Sequence, residues 1–110
     1  MGTENSILHG TLDLLILKLL SLEPMHGWGI SEWIQARSNA AIRVPQGSLY
    51  ASLHRMTREG FIRSSWQDTD AGRRARYYAI TALGRAQLER ETQHWTRLAG
   101  GVARILSARA

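Results

Sequence analysis

Hydrophobic positions recur along this chain at helical spacing in four stretches and as strands in two. From Thr11 to about Leu22, Leu12, Leu14, Leu15, Ile16, Leu17, Leu19, Leu20 and Leu22 leave only Asp13, Lys18 and Ser21 polar. Thr11 is placed to cap this helix and Pro24 to end it. A helix apolar on nearly every side is buried on nearly every side. A chain this small covers it only in part, so Leu12 and Leu15 are expected to meet a second subunit. A second helix is predicted over His26–Ser38, where Ile30, Trp33 and Ile34 fall at i, i+3 and i+4, with Asn39 as its stop. Residues 41–44 read as a short extended piece before Pro45.

The third helix spans about Gln46 to Glu59 and ends at Gly60. Leu49, Leu53 and Met56 gather on one side, while Gly47, Ser48, Ala51, His54, Arg55 and Arg58 lie around the other. Small residues on that outer face let the helix axis approach a groove closely, and the longer side chains reach out beside them. Phe61–Gln67 and Ala75–Thr81 read as two strands joined by the polar turn Asp68–Arg74, with Gly72 free to take positive φ. Thr81 then caps a helix that can run to Ser107, about 40 Å long and too long to pack within one small domain. In it Leu88, Trp95 and Val102 repeat every seven residues, and Leu98 and Ile105 form a second row with Glu91 as its polar member. This is the a/d seam of a paired helix. Gly100-Gly101 interrupts it at about 1 kcal/mol per glycine relative to alanine, which suggests a kink or a close helix approach.

These elements define a mainly α protein with a small β-hairpin. It is a winged helix-turn-helix over residues 1–80, followed by a long C-terminal dimerisation helix over 81–110, with residues 2–6 expected to be loose. The length of 110 residues suits one domain and a modest core, so oligomerisation is a natural way to bury more.

Charge sharpens this picture. The net charge is +5, and its distribution says more than its size. Residues 1–36 hold Lys18 against four acids, whereas residues 37–76 hold eight arginines against Glu59, Asp68 and Asp70. Positive charge therefore concentrates on the third helix and the wing. All basic residues but Lys18 are arginine, which suits bidentate contacts to phosphate and guanine. The expected partner is double-stranded DNA, read by Gln46, Ser48, Tyr50, His54, Arg55 and Arg58, with Arg73, Arg74 and Arg76 of the wing on the backbone. Arg55 is the candidate for a base edge and Tyr50 for a phosphate. His54 fits a base, a phosphate or plain solvent, and Arg37 and Arg43 are read as solvated. Trp28, Trp33 and Trp66 read as core or interface. A protein-interaction module and a non-specific architectural DNA binder are the competing readings.

Other chemistry is thin. There is no cysteine for a disulfide, a thiolate metal site or a nucleophile, and no catalytic constellation, so neither an enzyme nor a cofactor is expected. The longest apolar run, Leu14–Leu17, does not span a membrane, and no signal peptide is visible, which fits a cytoplasmic protein. Glu91 and His94 have the i, i+3 spacing of di-iron bundles, but Asp13 is the one further carboxylate the first helix offers, so no metal site is expected.

Several motifs then carry a resemblance. Gly10-Thr11-Leu12-Asp13-Leu14-Leu15-Ile16-Leu17, His26-Gly27-Trp28-Gly29-Ile30, Gly47-Ser48-Leu49-Tyr50, Leu53-His54-Arg55-Met56, Glu59-Gly60-Phe61-Ile62, Arg76-Tyr77-Tyr78 and Thr81-Ala82-Leu83-Gly84-Arg85 resemble, in order, the PadR family of bacterial transcriptional regulators. The stretches Glu91–Leu98 and Ala103–Leu106 resemble its short-armed, acidobacterial-type branch. The resemblance implies a homodimer that binds operator DNA, usually as a repressor, with the Gly47–Tyr50 helix in the major groove and its tyrosine on the backbone. Many relatives have proline after that tyrosine, where this chain has Ala51. In a multidrug-sensing branch, flat aromatic compounds lodge between paired tryptophans of the last helix, which makes Trp95 the candidate for a planar aromatic effector. The plainer expectation is that Trp95 packs in a dimer interface with Leu88, Leu98, Val102 and Ile105.

Overall fold

In the computed structural model, which describes residues 2–110 and the side chains from Gly10 onward, α1 (Gly2–Leu22), β1 (Met25–His26), α2 (Gly27–Arg37), α3 (Gln46–Arg58), β2 (Ile62–Asp68), β3 (Arg74–Ile80) and α4 (Ala82–Leu106) follow in order. The strands form one antiparallel sheet in the order β1-β3-β2. The architecture is a winged helix-turn-helix with a long C-terminal helix, as the sequence predicts.

α1 is the axis of the core. Leu12, Ile16, Leu17, Leu19 and Leu20 are buried within the chain, because α2, α3, β3 and α4 all pack around this helix. Leu12, expected at a subunit interface, is 0% exposed and has no surface left to give one. Leu15 is partly buried against the same core, and Leu22 at the helix end is exposed. Gly10 and Thr11 are both helical, so α1 starts before Thr11, which is not its cap. The loose stretch expected over residues 2–6 falls on positions where nothing beyond membership in α1 is described.

α2 buries Ile30 and Ile34 and half-buries Trp33. His26 caps it: the Gly29 amide donates to His26 Nδ1 at 2.9 Å. The helix ends where Asn39 (φ 53°) and Ala40 (φ 64°) both turn left-handed. Asparagine tolerates that region, whereas alanine pays a Cβ clash there. The Ala40 amide donates to Gln35 O at 2.8 Å and the Ile42 amide to Ser38 Oγ at 3.0 Å, bonds that hold the corner in place.

α3 buries Leu49, Leu53 and Met56, the predicted inner face, together with Ser52. Gly60 (φ 85°) closes it, and the Phe61 amide reaches back to Met56 O at 3.0 Å. In the hairpin Ser64 pairs with Tyr78, Trp66 with Arg76 and Asp68 with Arg74. Its tip is tied by Thr69 N to Arg73 O at 2.6 Å, with Gly72 at φ 80°.

Thr81 is a junction. Its hydroxyl accepts from the Gly84 amide at 3.1 Å and shares its one proton between the carbonyl oxygens of Gly60 at 2.6 Å and Phe61 at 3.0 Å. The start of α4 is thereby fastened to the end of α3 and the base of the wing. α4 runs through Gly100-Gly101 as one continuous helix, and a Cβ at either glycine would meet only the guanidinium tip of Arg104. From Thr92 to Leu106 no residue is buried.

Candidate nucleic-acid interface

The inner face of α3 is consumed by the core, which fixes what the outer face presents. Gln46, Gly47, Tyr50, Ala51, His54 and Arg58 are exposed, and Ser48 is half-buried. A Cβ at Gly47 would meet nothing within 4 Å, so the helix surface there is bare backbone open to a close approach. Tyr50 lies across the start of α2: a Cβ at Gly27 would come within 2.8 Å of its hydroxyl. Glycine at position 27 is therefore what seats this ring.

The wing completes the surface. A cleft of about 410 Å³ is lined by His26, Gly27 and Trp28 at the start of α2, Tyr50 and His54 of α3, and Trp66, Ala75, Arg76 and Tyr78 of the hairpin. A second, of about 290 Å³, is lined by His54, Thr57, Arg58, Ser64, Arg76 and Tyr78. Tyr50, His54, Arg58 and Arg76 thus converge on one recessed, cationic surface, with Arg73 and Arg74 exposed at the hairpin's far end. Gln46 and Ser48 sit at the other end of α3 and do not line these clefts. Burial raises the Tyr78 phenol above its usual range, against the opposing pull of Arg76, so it stays protonated at neutral pH.

Arg55 departs from its expected place. Its Nη2 donates to both oxygens of Asp13 in α1, at 2.8 Å and 2.7 Å, and its Nη1 lies 3.3 Å from Glu59. The guanidinium therefore locks α3 to α1 and is not available for a base edge in this arrangement. The reason is geometric. Arg55 lies one residue along from His54, a 100° rotation that carries it off the open face toward α1. Nothing in the local sequence names its partner, which is 42 residues away.

Two tryptophans are resolved between their alternatives. Trp28 and Trp66, read as core or interface, are 61% and 55% exposed, which removes the core, and both line the larger cleft. Trp28 stacks beside His26 at 6.2 Å, and His26 meets the edge of Tyr77 at 5.3 Å. Their helical or strand position was legible, but that they face solvent beside α3 depends on the fold. Arg37 lies over the Trp33 ring at 5.7 Å, on α2 and away from the clefts.

A separate groove of about 450 Å³ runs between Gly10, Thr11 and Leu14 of α1 and Arg90, Glu91, His94, Trp95 and Leu98 of α4. Trp95, Leu98, Val102 and Ile105 are 44%, 50%, 47% and 75% exposed, while Leu88 packs against the core. Glu91 Oε1 accepts from Gln87 at 3.1 Å, but Oε2 is buried without a partner. Burial raises the Glu91 pKa above the usual carboxylate range, and Asp13 adds to this, while Gln87, Arg55 and His94 oppose it. A carboxyl raised on folding favours the protonated native state, so its contribution to stability is present at acid pH and lost as pH rises through the folded value. Glu91→Gln is therefore expected to be more stable than wild type at pH 7, with the difference vanishing below the pKa of an unfolded glutamate. Urea unfolding at both pH values checks the sign. Among the described residues no three His, Cys, Asp or Glu side chains gather to hold a metal ion, and no helix is long and apolar enough to cross a membrane.

A bare-backed helix flanked by a basic hairpin, with a long arm beyond, defines a DNA-binding winged helix of the transcription-factor class. The comparisons narrow this. Residues 16–90 match the model of the transcriptional regulator PadR-like family, and the chain belongs to that family of regulators, not to an enzyme family. It is 31% identical over 95 residues to an uncharacterized protein X of Lysinibacillus sphaericus, covering 86% of this chain and 87% of that one. A PadR-like transcriptional regulator of Bacillus cereus superposes with a TM-score of 0.81 at 30% identity, covering 94% of this chain and 99% of that one. Bacillus subtilis PadR, solved in complex with operator DNA, shares the fold with a TM-score of 0.64 at 23% identity, over 72% of this chain and 45% of its own.

Proposed function

We propose that this chain is a homodimeric, sequence-specific DNA-binding repressor of the cytoplasm, in which residues 1–80 read DNA and 81–110 pair the subunits. The observation that carries the reading is the convergence of Tyr50, His54, Arg58 and Arg76 on one open surface beside the bare backbone of Gly47. Operator binding by the Bacillus subtilis relative supports the same partner. α3 enters a major groove and takes its base contacts from Gln46, Ser48 and His54, because Arg55 is engaged with Asp13. Arg58, Arg73, Arg74 and Arg76 sit on phosphates, and Tyr50 offers its hydroxyl to another. The stretches Glu91–Leu98 and Ala103–Leu106 support membership in the short-armed, acidobacterial-type branch of the family.

Binding measured against salt tests this. Arg73→Ala and Arg74→Ala are expected to weaken binding to every sequence and to lower the slope of log affinity against log salt by about one for each phosphate no longer neutralised. An unchanged slope would mean that the wing does not touch phosphate. Wild-type protein that retains no duplex at low salt would favour an interaction module instead. Loss of all preference in the presence of competitor DNA would favour an architectural binder.

An effector, where one exists, is a planar aromatic compound held at Trp95, beside the groove between α1 and α4. It lowers DNA affinity only by binding the mismatched dimer more tightly than the competent one. Tryptophan fluorescence titrated with planar aromatics is expected to be quenched in wild type and not in Trp95→Leu. Equal quenching in both would place the ligand elsewhere.

A further inference from the structure

We propose that Trp66 is a positioning residue of the wing, whose indole is the platform on which Arg74 and Arg76 are held ready for a polyanionic backbone. The inference rests on the DNA-binding reading and adds a device to it.

The register of the hairpin creates the arrangement. Trp66 stands directly opposite Arg76, and Asp68 directly opposite Arg74, so Trp66, Arg74 and Arg76 rise from one face of the β2–β3 ribbon. On a two-stranded ribbon an opposite pair touches, and a diagonal neighbour two positions along is within reach of a large ring. Both contacts occur: the guanidinium carbon of Arg76 is 5.1 Å from the Trp66 ring centroid and that of Arg74 is 5.8 Å from it. One indole thus carries two cations. The same face holds Ser64 and Tyr78 nearer the body of the protein, where Tyr78 belongs to the core. The core-facing side of the hairpin continues outward to become the floor of the cleft shared with α3.

Three further facts favour this role over plain packing. Trp66 is more than half exposed, so it contributes little to the core. Among the described residues neither Arg74 nor Arg76 is ion-paired; the salt bridges found are both made by Arg55. Neither guanidinium is thus tied up in an ion pair, although Asp68 lies opposite Arg74 on the same face. A guanidinium lying over a ring also keeps its N–H donors at its rim, where phosphate oxygens can take them. Held there, two long side chains lose less conformational freedom on binding than two that wave in solvent.

The test has an arm in the free protein and an arm on DNA. In the free protein the indole ring current is expected to shift the side-chain CH₂ protons of Arg74 and Arg76 upfield, and Trp66→Ala returns them to ordinary positions. Unshifted protons in wild type overturn the platform whether or not any duplex binds. On DNA, the probe is a duplex selected from random sequence by the wild-type protein. Trp66→Ala is expected to weaken it by about three- to thirtyfold, the effect of removing one or two cation–π interactions, and Trp66→Phe to recover most of the affinity. In an Arg74→Ala, Arg76→Ala background, Trp66→Ala is expected to change affinity by less than about twofold, because nothing is left to position. An undiminished effect there would mean that the indole itself touches DNA and would overturn the proposal, as would wild-type affinity in Trp66→Ala. Failure of wild type to select any duplex would instead remove the DNA-binding reading, leaving the proton shifts to decide on the platform.

Discussion

Gly84→Ala is expected to be the most damaging single-methyl change in the molecule, costing about 3 kcal/mol or more, at the upper end of overpacking penalties. Gly84 is buried in the first turn of α4, and its added Cβ would fall inside the contact radius of the Phe61 carbonyl oxygen and 2.8 Å from Ile80 Cγ1. A flexible side-chain tip could move aside. The Phe61 carbonyl cannot, because it also accepts from the Thr81 amide at 3.1 Å and lies 3.0 Å from the Thr81 hydroxyl. Relief requires α4 to lift from the base of the wing, which breaks the Thr81 junction. The urea midpoint should fall accordingly. A midpoint within error of wild type would show that the junction yields freely.

Leu98→Glu is expected to turn the proposed dimer into monomers and to weaken association by at least about a hundredfold. Leu98 lies at the middle of an outward apolar strip with Trp95, Val102 and Ile105. Burying one such side chain contributes about 1.5–3 kcal/mol, and a carboxylate in its place must also be desolvated. Each domain would then hold DNA alone and lose the gain from a linked second site. Sedimentation velocity decides the matter: an unaltered dimer would remove this strip from the interface. Gly100→Ala adds a finer probe. Within one chain the methyl meets only an Arg104 nitrogen at 3.6 Å, so better helix propensity should stabilise by about 1 kcal/mol. A loss instead would mean that a partner helix passes close to Gly100.

What could be read from sequence was whatever depends on near neighbours. The apolar spacing of Leu49, Leu53 and Met56 placed α3, Gly60 its end, Thr81 the start of α4, and Gly72 the hairpin tip, each within a residue or two. β1 was not legible, because two residues carry no period and Met25–His26 is a strand only by pairing with Tyr77 and Tyr78. Ala40 gave no sign of its positive φ, which no local preference explains. The site divided along the same line. Tyr50, His54, Arg58 and Arg76 could be assigned to an open surface from their own elements. Arg55 and Leu12 could not be placed correctly, since one is fixed by Asp13 and the other by four surrounding elements. For Trp28 and Trp66 hydrophobicity alone left core and interface open, and it is the hairpin's register and the start of α2 that take them out of the core.

The bareness of α4 beyond Glu91 has a consequence in mass action. No residue from Thr92 to Leu106 is buried within the chain, although this stretch holds a tryptophan, two leucines, a valine and an isoleucine. Helices this short are marginal by themselves, and a helix without tertiary cover has little beyond propensity to hold it. Where two arms pair, the free energy that holds this half of α4 belongs to the pair and is drawn from collision between chains. The melting temperature then rises with protein concentration, and dilution alone loosens the arm. In such a dimer the amount of protein made helps to set how much of each arm is folded.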